Sequence, residues 1–359
     1  MNKTVTQPAN TTDHAERLWD AVLDGDEYAA TEAVLAALHS GVGTEAVLLD
    51  VIGAVQRRIG HEWAANRISV AQEHAATAIN ERAIVHLVRE TPRPRVTRGR
   101  ITVSCVDGEW HALPARLLAE VLTLRGFRVD YLGAQVPTPH LITHLHRTGP
   151  EAVALSGSLP TRLPAAHATI SACQAAGVPV IAGGAAFGPD GRWARLLGAE
   201  AWAPDARAAA DRLADDPLTR PHAPHQPVDD LPHLADQEYT LVRRSSPQLV
   251  RAVDAGLEQR LPAMREYTEL QRQYTIEDLA HIVDFLSTAL YTGDASLFTA
   301  FLTWTADILA ARGVPPGSLI PALDLLAGEL RDFPRATALL AEAREELSGH
   351  LGTGQGGPG

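Results

Sequence analysis

Apolar residues fall at helical spacing along the first quarter of the chain. Leu18, Val22, Val34, Leu38, Val51, Val55 and Ile59 recur three and four apart or at multiples of a turn, as a buried stripe on each helix requires. Gly25, Gly41 and Gly43 break the pattern as turns, and Ser69 stands where an N-cap would open a further helix. The pattern predicts an N-terminal four-helix bundle over 12–90. The stretch TPRPRVTRG (91–99) ends it with two prolines.

From residue 100 the period changes. ITVSCV (101–106), FRVDYL (127–132), EAVALS (151–156) and VPVIAG (178–183) are short, apolar and β-rich. Amphipathic stretches such as ARLLAEVLTLRG separate them. Strands alternating with helices predict an α/β domain over 98–214, its parallel sheet covered on both faces. Five prolines and three histidines (His222, His225, His233) then crowd 215–235. That composition predicts an extended linker, with a solvated segment preferred over a metal site. Helical periodicity returns over 236–348, and the glycine-rich tail 349–359 is expected to be disordered. The fold class is α/β with all-α flanks, in three folded units.

Composition narrows the function. Across 359 residues, 31 Lys and Arg against 43 Asp and Glu give a net charge of −12. That balance argues against nucleic acid or an anionic membrane as the main partner. The start of the chain has no signal-peptide core, and no apolar run is long enough to span a membrane, so a cytoplasmic location is expected. The only cysteines are Cys105 and Cys173, too few for a disulfide framework.

The chemistry gathers at strand ends. Glu109 and His111 follow the first strand with one residue between them, at the carboxyl edge where open α/β sheets bind ligands. A carboxylate on one imidazole nitrogen fixes the tautomer and leaves the other nitrogen for a metal. Alone, such a triplet fits an ordinary polar loop. It is joined by Ser156, Gly157, Ser158 and Leu159 after the third strand, and by Gly183 and Gly184 after the fourth. Small residues there let a bulky ligand slide between strands.

The series Glu109-Trp110-His111-Ala112-Leu113-Pro114, Ser156 to Leu159 and Gly183-Gly184 resembles the cobalamin-binding domain of methionine synthases, mutases and light-sensing repressors. The resemblance implies a flavodoxin-like (Rossmann-like) sheet. It also implies His111 as the lower cobalt ligand, with the cofactor's own base displaced into a tunnel lined by Ser156 or Ser158 and the two glycines. Pro114 stands where that family has glycine, and the serine element is shifted or duplicated.

In the helical region, Trp63 is followed after nine residues by Glu73 and His74. A lone Trp is most often core, yet this spacing resembles cobalamin photoreceptors, in which the bundle caps the upper face. There the Trp covers the upper axial group, and the Glu and His contact an adenosyl moiety. Those repressors carry a histidine after the Trp. Here that position is Ala64, with His61 and His74 as other donors, which leaves the ligand of cobalt after light open.

The last domain reads plainly as a helical dimerisation module with Phe298, Phe301 and Trp304 as core. In combination with the rest, the chain resembles photocobilins, which join a cobalamin domain to a globin-like domain holding a bilin. The resemblance implies biliverdin, with His281 and Asp284 toward its pyrroles and Arg244, Arg251 or Arg265 toward its propionates. Haem is the competing ligand. With no cysteine beyond 173, attachment there must be non-covalent. The expected function is therefore a non-enzymatic light sensor holding adenosylcobalamin, homo-oligomeric and signalling to a separate protein. The alternatives are a corrinoid methyl carrier of a methyltransferase system and a cobalamin-binding scaffold.

Overall fold

The computed structural model describes residues 11–92, 94–220 and 231–354. These residues form two compact units, the described residues of 11–158 with 168–220, and 159–167 with 231–354. The bundle and the sheet, expected as separate bodies, share one continuous core running from Leu18 and Leu48 through Leu117 to Leu213.

The bundle consists of α1 (Thr11–Leu23), α2 (Glu27–His39), a third rod and α4 (Val70–Glu90). The third rod, α3, runs Thr44–Ala46, then a π-helical stretch Val47–Ile52, then Gly53–Ala64. Ser69 opens α4 with a full capping box: its side chain accepts from Gln72 N–H, and the Gln72 side chain returns to the Ser69 backbone. Leu18, Leu48, Ile52, Ile59, Ile84 and Leu87 are fully buried, each worth about 1.5–3 kcal/mol of apolar burial. Arg125 meets Glu45 at 2.9 Å and Arg207 meets Asp50 at 3.0 Å, tying the bundle to the sheet through half-exposed pairs of modest strength.

The sheet has five parallel strands in the order β2-β1-β3-β4-β5: β1 (Arg100–Cys105), β2 (Arg128–Gly133), β3 (Ala152–Ser156), β4 (Val180–Gly183) and β5 (Ala201–Ala203). This is the flavodoxin-like order, and its switch point lies between the carboxyl ends of β1 and β3. Helix α5 (Ala112–Leu124) leaves the end of β1. Pro114 sits in its first turn, where the missing N–H costs nothing.

The second unit is all-helical: α10 (Glu238–Arg260), α11 (Glu269–Thr292), α12 (Ala295–Ala311), α13 (Leu319–Glu329) and α14 (Pro334–Gly354). In the first unit, α6 (Thr138–Thr148), α8 (Arg192–Leu196) and α9 (Ala206–Asp215) complete the sheet's cover. Helix α7 (Leu163–Ala175) divides between the units after His167. The second core centres on Leu286, Leu290, Phe298, Leu302 and Leu326. Two expectations change here. His233, read as part of a solvated linker, places Nε2 2.9 Å from the Tyr291 carbonyl oxygen, while His222 and His225 lie outside the described residues. The tail expected to be disordered from 349 continues α14 to Gly354. Among the described residues, no helix is long and apolar enough to cross a membrane.

Candidate functional site

The switch point assembles around one carboxylate. After β1 the chain turns at Gly108, whose φ of 77° favours glycine, and the Glu109 N–H donates to the Val106 carbonyl at 2.9 Å. The Glu109 side chain is completely buried. Its Oε1 accepts the backbone N–H groups of Trp110 (2.9 Å) and His111 (3.0 Å) and the His111 Nδ1–H at 2.6 Å. Its Oε2 accepts the Ser158 N–H at 2.8 Å, across from the end of β3. An unpartnered buried carboxylate would be strongly disfavoured, and these donors compensate it.

Glu109 thereby fixes the His111 tautomer. The hydrogen bond that His111 donates to Glu109 raises the His111 pKa. Burial opposes it, and the charges of Glu109 and Glu73 add to the rise. Nδ1 is engaged, so Nε2 carries the lone pair of the neutral ring, and the side chain remains 52% exposed. Backed by its carboxylate, this is the donor expected of a metal-ligating imidazole. The donor set thus fits cobalt in a corrinoid. Cys105 is not a rival: burial, then the Glu109 charge, pushes its thiol up to about 12, and a thiol at that value is neither ligand nor nucleophile. Trp110 points outward, 67% exposed.

The serine and glycine elements are built differently from the expectation. The contact from the β3 loop is the Ser158 backbone rather than a serine side chain, and Ser156 is buried at the strand end. Gly157 N–H donates to Gly183 O at 3.0 Å, and Ala186 N–H to Gly157 O at 3.0 Å. A Cβ on Gly184, at φ 99°, would lie 2.3 Å from the Gly157 oxygen. One on Gly157 would meet Ala186 at 3.1 Å and Phe187 at 3.3 Å. The small residues therefore let the protein's own two loops approach each other, with Phe187 fully buried between them. The expected tunnel would pass where Gly157 packs against Ala186 and Phe187. Leu159, expected beside the serines, begins the stretch that belongs to the second unit.

In the bundle, Trp63 lies half-buried near the end of α3, and Glu73 and His74 occupy the start of α4. Glu73 Oε2 lies 2.6 Å from His74 Nδ1, with His74 75% exposed. The bundle that carries this pair shares one continuous core with the sheet that carries His111. Sequence reasoning missed Gln56, Thr77 and Asn80, a part-buried series of hydrogen bonds between α3 and α4 that ends on Glu73 through Thr77. Their signal was a polar stripe at 73, 77 and 80, four and three residues apart on α4.

The second unit places the expected bilin residues mostly at its surface. His281 is exposed, and Asp284 is half-buried with Arg243 at 3.9 Å. The buried stripe of α11 runs through Leu279, Ile282, Leu286 and Leu290, and at about 100° per residue both polar residues fall nearly opposite it. Burial raises the pKa of Asp278, with His281 and Arg312 pulling it back. Arg244, Arg251 and Arg265 are all exposed. Phe298 is core as expected and Phe301 stacks on Phe285 at 3.7 Å between ring centroids, but Trp304 is 47% exposed.

Two family models match the chain, both described as B12 binding domains: one over residues 14–87 and one over 99–213. Among curated relatives, trimethylamine corrinoid protein 1 of Methanosarcina mazei is 24% identical over 203 residues, covering 54% of this chain and 92% of the relative. The trimethylamine corrinoid protein of Methanosarcina barkeri is 23% identical over 201 residues, with the same coverage. Among solved structures, the monomethylamine corrinoid protein of Methanosarcina barkeri overlaps 57% of this chain and 98% of its own, with 19% identity and a TM-score of 0.49. With two B12 binding domains matched and the carboxylate-backed His111 within the second, the chain is a cobalamin-binding protein.

Proposed function

We propose that this chain is a corrinoid-based light sensor rather than an enzyme, binding adenosylcobalamin between the bundle and the sheet. The observation that supports this reading is the Glu73–His74 pair, a carboxylate and an exposed imidazole 2.6 Å apart at the start of α4, in the bundle whose core is continuous with that of the sheet. Hydroxyl and amino groups of a nucleoside give such a pair something to bind, whereas a methyl group offers no donor or acceptor. Bound adenosylcobalamin supplies a light-cleavable cobalt–carbon bond. The chain's own part is to hold cobalt from below through His111 and to register the upper group through Trp63, Glu73 and His74. Loss of that group removes contacts from one face of the bundle, and a ligand shifts packing or assembly only by such differential contacts. Signalling to a separate partner, in a homo-oligomer, belongs to the same proposal.

Biliverdin in the second unit, with a globin-like arrangement, extends the reading. Its support is the architecture, the aromatic group Phe285, Phe301 and Trp304, and the position of helices α10 to α14 outside both matched domains. With Cys173 buried and its thiol pushed up to about 12 by burial and then by Glu200, attachment would be non-covalent.

A second reading, a methyl carrier serving a methyltransferase, is favoured by the relatives, which are named as trimethylamine corrinoid proteins. One experiment separates the two. The full-length protein is loaded with adenosylcobalamin or methylcobalamin, and affinity, absorption and hydrodynamic size are followed in darkness and after illumination. The sensor reading expects preference for the adenosyl form and a light-dependent change of size. Equal affinities and an unchanged size would favour the carrier.

A further inference from the structure

Between α3 and α4 the bundle interior holds a directed chain of side-chain hydrogen bonds. Asn80, fully buried, donates from Nδ2 to Gln56 Oε1 at 2.9 Å. Gln56 donates from Nε2 to Thr77 Oγ1 at 2.8 Å. The Thr77 hydroxyl, its oxygen already accepting, spends its single proton on Glu73 Oε1 at 3.3 Å. On its other oxygen, Glu73 faces His74 Nδ1 at 2.6 Å, and that nitrogen also lies 2.9 Å from the Val70 carbonyl oxygen. Two acceptors around Nδ1 require it to carry the proton, which leaves the lone pair on Nε2.

The chain begins at a cost. Asn80 Oδ1 is buried with no hydrogen-bond partner, an arrangement that apolar side chains of similar shape would avoid. What the polar chain delivers is direction: it fixes one Glu73 oxygen from inside the bundle and, through the other, the orientation and tautomer of an exposed imidazole.

We infer that Thr77 and Gln56, anchored by Asn80, are positioning residues that set the Glu73–His74 pair toward the corrinoid's upper group, selecting groups with hydroxyl donors over a bare methyl. This rests on the reading above that the pair faces that group. Thr77→Val keeps the shape and removes the hydroxyl, while Thr77→Ser keeps the hydroxyl. Dissociation constants of the full-length protein for adenosylcobalamin and methylcobalamin are measured in the dark, with the absorption spectrum reporting the lower ligand. Thr77→Val is expected to lower the adenosyl-to-methyl preference on the order of tenfold. Methylcobalamin affinity and spectrum should stay unchanged, and Thr77→Ser should restore the preference. Gln56→Leu should act in the same direction to a smaller extent. An unchanged preference in Thr77→Val, an equal loss for both corrinoids, or a Thr77→Ser variant as impaired as Thr77→Val would each overturn the positioning role. If the unmutated protein shows no preference at all, the upper-face reading fails and the positioning role fails with it.

Discussion

The two Glu–His pairs share a 2.6 Å carboxylate–imidazole contact but are supported by different parts of the chain. Glu109 is entirely buried and is held by backbone N–H groups from two strand ends. Glu73 is 27% exposed and is held by side chains of the bundle. Backbone donors are fixed by the sheet and independent of residue type, so the lower pair is rigid and insensitive to substitution outside itself. Side-chain donors can be exchanged one at a time, which makes the upper pair adjustable. On the proposed reading, that contrast suits Glu109–His111 to a constant ligand and Glu73–His74 to a variable one.

The largest effect should come from the lower side. His111→Ala is expected to abolish imidazole ligation and weaken corrinoid binding by more than about a hundredfold, beyond the 10–100-fold typical of losing a partner one shell out. Glu109→Ala should fall within that 10–100-fold range. Titration of both variants with hydroxocobalamin checks the ranking, and a larger loss for Glu109→Ala would invert the assigned roles. Next is the loop zipper beside this site. Phe187→Ala should cost about 3–5 kcal/mol of stability in the corrinoid-free protein, read by denaturant unfolding. Its corrinoid affinity should hold or improve, because the side chain no longer packs where the expected tunnel would pass. Reduced affinity would show that Phe187 supports the binding loops instead.

On the upper side, Trp63→Ala should narrow the preference for adenosylcobalamin by about tenfold, equivalent to about 1.4 kcal/mol of differential contact, with the lower-ligand spectrum intact. The smallest effect is that of pH, and its two signs differ. The pairing with Glu109 raises the His111 pKa, so its contribution to the stability of the corrinoid-free fold is present at low pH. It is lost as pH rises through that raised value. Cobalt competes with the same proton, so corrinoid affinity should instead fall on acidification, beginning above the ordinary imidazole range. Affinity and unfolding measured on one pH series should move in opposite directions, and parallel movement would mean another group dominates.

Much of this was legible in residue order. Four strands are short β-rich stretches with apolar residues prominent, and Glu109-x-His111 lies beyond the end of the first of them. The strand Ala201–Ala203 was not visible, because three residues of Ala-Trp-Ala carry no period. The Ser158 contact could not be read from residue type, since a backbone N–H makes it. Gly157, Gly183 and Gly184 were read as room for a ligand, whereas the structure brings the chain's own two loops together there, which residue type alone does not reveal. His281 misled because apolar neighbours in sequence need not share its face of a helix. Gln56, Thr77 and Asn80 escaped because a polar residue in a helix usually faces water.

The central claim is that a protein imidazole, and not the cofactor's own base, lies beneath cobalt. Electron paramagnetic resonance of the protein loaded with cob(II)alamin, with only its histidines labelled with nitrogen-15, tests it directly. The unpaired electron couples to the axial nitrogen, so each cobalt line splits in three for nitrogen-14 and in two for nitrogen-15. The account predicts doublets in the labelled protein and their loss in His111→Ala. Triplets that persist despite the label would contradict it.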